Sequence, residues 1–166
     1  MNGAKTTVEG IWEALEDVKD PEVPVLSVVE LGIVRDVRLD DTGVTVVITP
    51  TYSGCPAMQV IEDDIRSALL AHGVGPVRIE TVFSPAWTTD WIPAEARAKL
   101  AAYGIAPPGK AESQAGLVTI TRRETVACPH CGSRRTTLKS EFGSTACKSI
   151  LFCHDCRQPF EQFKAI

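Results

Sequence analysis

The sequence predicts an α+β fold: a small helix–strand–strand–helix–strand–helix sandwich, followed by a short module folded around a metal ion. Apolar residues recur at helical intervals over residues 6–19 and 56–72, and alternating apolar residues between these two segments indicate strands. Two Cys-x-x-Cys pairs lie close to the C-terminus. We therefore predict a first domain over residues 1–103, a linker over 104–123 and a metal module over 124–166.

The first predicted helix runs from Thr6 to Lys19. Thr6 and Glu9 have the spacing of a capping box, in which each side chain bonds a free backbone amide of the first turn. Pro21 ends the helix, because proline disfavours helical geometry in the residue before it. The prolines that follow indicate an extended connector with a short turn.

Two strands are predicted next, over residues 33–39 and 43–49, with a hairpin turn between them. A helix over 56–72, a third strand over 77–83 and a helix over 93–103 complete the domain. The stretch after Tyr103 is rich in proline, glycine and small polar residues without periodicity, which predicts the linker.

Composition and charge exclude several classes of function. Apolar residues make up 44% and charged residues 23%, as in folded globular proteins. The net charge of −4 combines −7 over residues 1–127 with +3 over 128–166, and an acidic body disfavours nucleic-acid binding. No apolar run reaches the ~20 residues of a membrane span, and the N-terminus lacks the form of a secretory signal. We expect a cytoplasmic protein that binds neither membranes nor nucleic acid.

Four cysteines have the spacing of metal ligands. Cys128 and Cys131 form one Cys-x-x-Cys pair, and Cys153 and Cys156 form another after 21 intervening residues. This spacing is typical of a zinc ribbon, in which two such turns close a tetrahedron around one ion. A module of about 40 residues buries too little apolar surface to fold without its metal. We predict structural zinc, with an iron–sulfur cluster on the same thiolates as the alternative.

Three other residues of this module have two interpretations each. Cys147 is either a buried, small apolar side chain or an additional thiol that ligates metal transiently. His130 and His154 lie inside the Cys-x-x-Cys pairs. We interpret both as solvent-facing residues, since the flanking cysteines are the better ligands.

Cys55 stands apart from the other five cysteines, directly before Pro56. Proline suits the first helical position, which makes Cys55 the predicted N-cap residue. The free amides and the positive end of the helix dipole then lower the pKa of its thiol, as expected of a metal-handling or nucleophilic cysteine. The alternative is an inert cysteine that only caps the helix. Cysteine catalysis has little support, because no histidine lies beside Cys55 in the sequence.

Two more pairs of residues have alternative roles. Asp20 and Glu22 form either a carboxylate pair near Cys55 or a turn cap and a solvated side chain. Trp87 and Trp91 are either anchors for a partner protein or packing residues, and we favour packing because tryptophan is highly buried on average.

Several motifs resemble a known family. Asp20-Pro21-Glu22, the sequence LGIV at 31–34 and Thr51…Cys55-Pro56 resemble the small domain shared by factors that assemble and deliver metal–sulfur clusters. The resemblance covers roughly residues 8–83. It implies that Cys55 is the reactive or metal-binding position and that Asp20 and Glu22 form the acidic motif.

The fuller pattern is similar to one subgroup. The sequences TPTYSGCPA, SPAWTTDWI, EFGSTACKS and the terminal FKAI resemble the D subunits of bacterial phenylacetyl-CoA epoxygenase systems, over nearly the whole chain. The resemblance implies a place in phenylacetate degradation, beside a di-iron oxygenase subunit and a reductase that carries flavin and an iron–sulfur cluster. It also implies that the D subunit matures this complex and does not perform the epoxidation.

The leading hypothesis is a maturation factor without catalytic activity of its own. Cys55, helped by Asp20 and Glu22, would hold iron or an iron–sulfur cluster transiently for the oxygenase or reductase subunit. The second hypothesis is a structural adaptor that stays in the oxygenase complex and transfers no metal; a homodimer is left open. The sequence has no pair of Glu-x-x-His motifs and no glycine-rich phosphate loop, so an oxygenase or nucleotide site is not expected.

Overall fold

The computed structural model describes residues 7–110 and 125–166. The chain divides into two compact units, the first ending at Trp87 and the second beginning at Thr88. Within the described residues, helices alternate with strands in the predicted order, which confirms the α+β class. No helix in these ranges combines the length and the apolar character that crossing a membrane requires.

The first unit contains two helices and a three-stranded sheet. The elements in chain order are α1 (Val8–Glu16), β1 (Val34–Asp40), β2 (Gly43–Ile48), α2 (Met58–Ala71) and β3 (Val77–Thr81). β2 is central: it pairs antiparallel with β1 and parallel with β3. Each bound lies within about two residues of its sequence prediction, except at the C-terminal end of α1, which comes at Glu16 instead of Lys19.

Apolar side chains from both helices and the central strand form the core of this unit. One face of each helix is buried because its apolar residues recur every three or four positions. The fully buried members of these elements are Ile11, Leu15, Val46, Ile48, Ile61, Ile65 and Leu69. The core thus fixes β2 and α2, between which Cys55 lies.

The first helix begins later than predicted. Thr7 is its N-cap, and the Thr7 hydroxyl oxygen accepts a hydrogen bond from the Gly10 amide at 3.1 Å. The predicted cap, Thr6, lies outside the described residues. The helix ends at Glu16 because the chain then turns back: Lys19 bridges to Ser27, and the Val28 amide donates to the Val18 carbonyl.

The second unit combines a helix with a four-stranded sheet. It contains a 3-10 turn (Thr89–Trp91), α3 (Ala94–Tyr103), β4 (Ile105–Ala106), β5 (Thr136–Ser140), β6 (Lys148–Cys153) and β7 (Pro159–Phe163). The strand order is β4-β7-β6-β5, and β4 runs parallel to β7. The helix is thereby connected directly to a strand of the ribbon sheet.

This division differs from the predicted boundaries at 1–103, 104–123 and 124–166. α3 groups with the ribbon strands, and β4 lies at the start of the segment predicted as linker. A two-residue strand is too short to show an alternating pattern, so nothing in the sequence indicated that β4 pairs with β7. The rest of the predicted linker, from residue 111, lies outside the described residues.

Hydrogen bonds connect the segment around Thr89, at the start of the second unit, to α3 and to Ile166. The Arg97 guanidinium donates to the carbonyls of Ile92, Pro108 and Thr89 at 2.6–3.0 Å. The Thr89 amide in turn donates to the Ile166 carbonyl at 3.0 Å. The segment around Thr89 therefore joins α3 to the end of the chain.

Candidate metal and thiol sites

Two similar turns position the four cysteines. Cys128 and Cys131 lie in a turn before β5, where the Gly132 amide donates to the Cys128 carbonyl at 2.8 Å. Cys153 ends β6, and Cys156 lies in the turn to β7. Each turn is followed by a residue of positive φ, Gly132 at 76° or Arg157 at 61°. The left-handed residue lets the backbone fold back so that both sulfurs point to one side.

The sulfur positions fit one tetrahedral ion. Cys128 Sγ lies 3.7 Å from Cys156 Sγ, and Cys131 Sγ lies 3.6 Å from Cys153 Sγ. All four sulfurs lie within 4.8 Å of one another. These distances exceed the ~2.05 Å of a disulfide. They match the ~3.8 Å edge of a tetrahedron whose metal–sulfur bonds are ~2.3 Å long. His130 and His154 are exposed and are not members of this group.

The electrostatics of the tetrad favour a bound cation. The Cys156 amide, followed by the Asp155 amide, lowers the pKa of the Cys153 thiol to about 7 against the opposing effect of burial. Burial, with the neighbouring sulfurs, raises the pKa of Cys156 to about 12. Four thiolates at this spacing repel one another, so a divalent ion is needed to hold all of them deprotonated.

Cys147 is buried and lies outside the tetrad. Only 4% of its surface is exposed, and its sulfur lies 3.0 Å from the Thr145 hydroxyl oxygen. Its carbonyl accepts from the Lys164 amide at 2.9 Å. Among the described residues, the group able to hold a metal comprises the other four cysteines of the module. The packing interpretation of Cys147 therefore fits its surroundings.

Cys55 is not the N-cap of α2, so that prediction was wrong. The helix begins at Met58 with Ala57 as its N-cap, and Cys55 lies in a preceding turn. In this turn the Cys55 amide donates to the Tyr52 carbonyl at 3.3 Å, and the Met58 amide donates to the Cys55 carbonyl at 3.4 Å. Cys55 is half-buried and precedes the helix, but it does not cap the first helical turn.

The pKa of Cys55 is raised, contrary to the predicted decrease. Burial is the main cause, and the negative charge of Glu22 adds to it. Hydrogen bonds from the Ala57 amide and from the hydroxyls of Thr51 and Tyr52 act in the opposite direction. Sequence reasoning did not single out the Tyr52 hydroxyl, although its place three residues before the thiol was an available signal.

Asp20 and Glu22 have different roles around this thiol. Asp20 is 6% exposed, and its Oδ1 accepts from the amides of Glu22 and Val23 at 2.8 and 2.7 Å. This carboxylate therefore shapes the turn that carries Glu22. Glu22 is half-buried and acts electrostatically on Cys55. Asp20 thus orients the backbone at Glu22, and Glu22 is the carboxylate whose charge acts on the Cys55 thiol.

We expect Glu22→Gln to make Cys55 more reactive at a given pH. Removing a negative charge that raises the thiol pKa lowers that pKa, so more thiolate is present below the wild-type pKa. The measurement is the rate of iodoacetamide modification of Cys55 against pH, resolved by peptide mass spectrometry. Glu62→Gln is the control, since Glu62 pairs with Arg66 on α2. An unchanged pH profile in Glu22→Gln would contradict the coupling.

The two tryptophans have different environments. Trp87 is 4% exposed and its Nε1 donates to the Leu31 carbonyl at 2.8 Å, so it packs within the first unit. Trp91, in the second unit, is half-buried in the 3-10 turn. Because Trp87 is buried, we assign it a packing role rather than a role in partner binding.

Two family models match separate parts of the chain. Residues 9–80 match the model described as iron-sulfur cluster assembly protein. Residues 112–164 match the model described as PaaD zinc beta ribbon domain. The first match covers the segment with Asp20, Glu22 and Cys55, and the second covers the four-cysteine site.

Relatives match either nearly the whole chain or about half of it. The chain is 45% identical over 163 residues, 98% of its length and 96% of the relative's, to an Escherichia coli (strain K12) protein named as the putative D subunit of a 1,2-phenylacetyl-CoA epoxidase. It is 40% identical over 84 residues to the "Fe-S protein maturation auxiliary factor YitW" of Bacillus subtilis (strain 168), covering 49% of this chain and 81% of the relative. A solved structure, a conserved hypothetical protein of Thermotoga maritima, aligns with a TM-score of 0.51 and 37% identity, over 60% of this chain and 98% of that one.

Proposed function

Because this chain belongs to the family of phenylacetyl-CoA epoxidase D subunits, we propose that it is a maturation factor that delivers iron or an iron–sulfur cluster to the epoxidase. In this proposal the chain performs no epoxidation itself. Its clients are the oxygenase or the reductase subunit, and the cargo passes through Cys55. Three relatives that match 44–57% of the chain are named Fe-S protein maturation auxiliary factors.

The observation that carries the proposal is the half-buried Cys55, whose thiol pKa is influenced by the negative charge of Glu22. The thiol is half-buried, so an incoming ion can reach it from solvent. Its raised pKa keeps it protonated, and therefore resistant to oxidation, until a metal arrives. Binding Fe²⁺ then forms an iron–sulfur bond and releases the thiol proton, while the Glu22 charge favours the cation.

Transient binding follows from the same features. One thiolate and one carboxylate supply fewer ligands than an iron ion uses, so ligands of the client can complete the coordination sphere. The proton that must leave a thiol of raised pKa weakens retention further. Such a site is suited to passing a metal on rather than storing it.

The four-cysteine site has a different role in the proposal. Cys128, Cys131, Cys153 and Cys156 would hold one zinc ion, which stabilises the module and touches no substrate. The sulfur spacing supports a single ion, because a cluster of several irons and sulfides holds its cysteine sulfurs farther apart. Elemental analysis that gives iron with inorganic sulfide instead of zinc would contradict this assignment.

Replacing Cys55 with serine tests the transfer function. We expect at least about a tenfold decrease in the iron content of the epoxidase produced with the variant, because the transfer ligand is lost. Iron per client is measured by mass spectrometry, and epoxidation activity is assayed in parallel. Cys147→Ala, a change at a buried cysteine outside both sites, is the control and should load the client normally. Normal loading with Cys55→Ser would remove the transfer mechanism.

The name of the full-length relative supports a second candidate, a stable adaptor. A subunit of the working epoxidase would remain with the oxygenase in fixed ratio after purification. Stoichiometric co-purification and full activity, both unaffected by Cys55→Ser, would favour the adaptor over the maturation factor.

A further inference from the structure

The last strand of the first unit has an unpaired outer edge. β3 lies at one end of the sheet order β1-β2-β3, and no other strand of the described residues pairs with its outer side. The Val44 amide donates to the Pro76 carbonyl at 2.9 Å, and the Val82 amide donates to the Ile48 carbonyl at 2.8 Å. Backbone groups alternate in direction along a strand, so the odd-numbered residues between these two bonds face away from β2. They are Val77, Ile79 and Thr81.

The sequence of this edge is complementary to itself. β3 reads VRIET, and two antiparallel copies related by a twofold axis at Ile79 bring Arg78 of each copy opposite Glu80 of the other. The neighbouring registers would bring Arg78 opposite Arg78, or Glu80 opposite Glu80. Opposite charges at directly facing positions stabilise a strand pair, and like charges destabilise it. Charge therefore selects the register centred on Ile79.

Both charged side chains lie on the solvent-facing side of β3. Arg78 and Glu80 are exposed and, being two residues apart in a strand, point to the same face. Arg78 acts electrostatically on Asp40, and Glu80 Oε2 accepts from Arg38 Nη2 at 3.1 Å. The second carboxylate oxygen of Glu80 can accept from a second guanidinium. A second copy would thus extend a row of alternating charges that the sheet already has.

We propose that the outer edge of β3 pairs antiparallel with the same edge of a second copy of this chain, so that the two sheets become continuous. The outward amide and carbonyl of Ile79 bond those of Ile79 in the other copy, and Val77 bonds Thr81. Strand addition at a sheet edge draws its affinity from such backbone bonds. It also covers the half-buried side chains of Val77 and Ile79, which adds apolar burial.

Exposed apolar side chains follow the same symmetry. Phe83 is 69% exposed, and Leu70 on α2 is 60% exposed. The register centred on Ile79 places Phe83 at the level of Gly75 of the second copy. Leu70 Cδ2 lies 3.2 Å from the position that a Cβ of Gly75 would take. Since Gly75 has no side chain, the Phe83 ring lies over this position beside Leu70 of the second copy, and both become covered.

The opposite edge of the sheet is protected against this kind of pairing. Asp36 Oδ1 accepts from the Val37 amide at 2.9 Å, and β1 has a bulge between Val34 and Asp36. Bulges and charged side chains are devices by which edge strands avoid strand addition. The pairing of β3 with β2 is regular from Val77 to Thr81. The two edges therefore differ, and β3 is the edge that accepts a second copy.

Charge reversal tests the register in the full-length, metal-loaded chain. We expect a reversible wild-type dimer with a Kd on the order of 100 μM, since a five-residue edge buries less area than a standard interface. Sedimentation equilibrium on both sides of that Kd measures it. Arg78→Glu alone or Glu80→Arg alone should raise the Kd at least about tenfold, because both symmetry-related pairs become like-charged. The double variant should dimerise again, and the two single variants mixed should form a heterodimer. Glu13→Arg, on the exposed side of α1, changes the net charge as Glu80→Arg does and should keep the wild-type Kd.

Amide hydrogen exchange gives a second, residue-specific readout. The amides of Val77, Ile79 and Thr81 should gain protection as the chain concentration rises. The Val37 amide, which is already bonded within the chain, should not change. Phe83→Ser should weaken the dimer and leave the exchange of Val37 unaltered.

Several results would overturn the proposal. These are a wild-type chain that stays monomeric throughout the measured range, single charge variants with the wild-type Kd, or folded single variants whose mixture and double variant both remain monomeric. Protection of the Ile79 amide only after purified oxygenase or reductase is added would assign the edge to a strand of the client instead. The variants leave Cys55 and the metal tetrad intact, so these outcomes are independent of the transfer function.

Discussion

Cys153→Ser is expected to abolish metal binding and to unfold the strands β5, β6 and β7 around the four-cysteine site. Cys153 is fully buried, and its sulfur is one of the four that converge. The surrounding cluster of buried residues is small and includes two of the ligands themselves: Ala106, Cys128, Leu151, Cys153 and Phe160. A structural zinc site contributes ~10–16 kcal/mol of apparent binding free energy, which exceeds the stability of many whole domains. Apolar burial in so small a cluster cannot replace that contribution.

Metal content and hydrogen exchange check this expectation. Wild type should contain one metal ion per chain by elemental analysis, and Cys153→Ser should contain none. His154→Ala is the control, because His154 is exposed and its ring lies outside the tetrad. Amides in β6 and β7 should lose protection in the serine variant alone. A variant that keeps one metal ion and its amide protection would show that three cysteines suffice.

The same measurement decides where the metal-dependent unit begins. If α3 and β4 fold with the ribbon, as their contacts indicate, their amides should lose protection together with β6 when the metal is lost. If the unit begins near residue 124, as the sequence predicts, α3 should keep its protection in Cys153→Ser. The two possibilities differ at α3, where the hydrogen bonds of Arg97 join the helix to its flanking segments.

The elements predicted well are those whose evidence is local. Helical spacing in α2 and strand alternation in β2 each lie within one segment, and both elements form within about two residues of their predicted bounds. The two Cys-x-x-Cys pairs are equally local, and the structure brings their four sulfurs together. Local patterns were sufficient because each describes a single face or a single turn.

The features that the sequence did not reveal depend on distant residues. The pairing of Ile105 with Glu161 joins positions that no periodic pattern links. The pKa of Cys55 depends on its burial and on Glu22, which lies in another segment, and the expected helix dipole was inferred from Pro56 alone. Burial of the thiol, together with the Glu22 charge, reversed the predicted direction of the pKa shift.

Replacing Trp87 is expected to destabilise the first unit strongly. Trp87 is 4% exposed, so Trp87→Ala leaves a cavity and should lower the free energy of unfolding by about 3–5 kcal/mol. Trp87→Phe keeps most of the apolar volume but removes the Nε1 donor of the 2.8 Å bond to the Leu31 carbonyl. Since Leu31 is 1% exposed, the lost bond should cost about 1–3 kcal/mol.

The variants Trp87→Ala and Trp87→Phe distinguish a packing role of Trp87 from a role in partner binding. Urea unfolding followed by hydrogen exchange at β1 and β2 should show the graded loss, with alanine more destabilising than phenylalanine. Metal content should stay at the wild-type value, because the ligands lie in the second unit. A partner anchor would behave in the opposite way, since removing an exposed ring weakens binding and leaves stability nearly unchanged. Wild-type stability of Trp87→Ala would therefore mean that this ring is available to a partner after all.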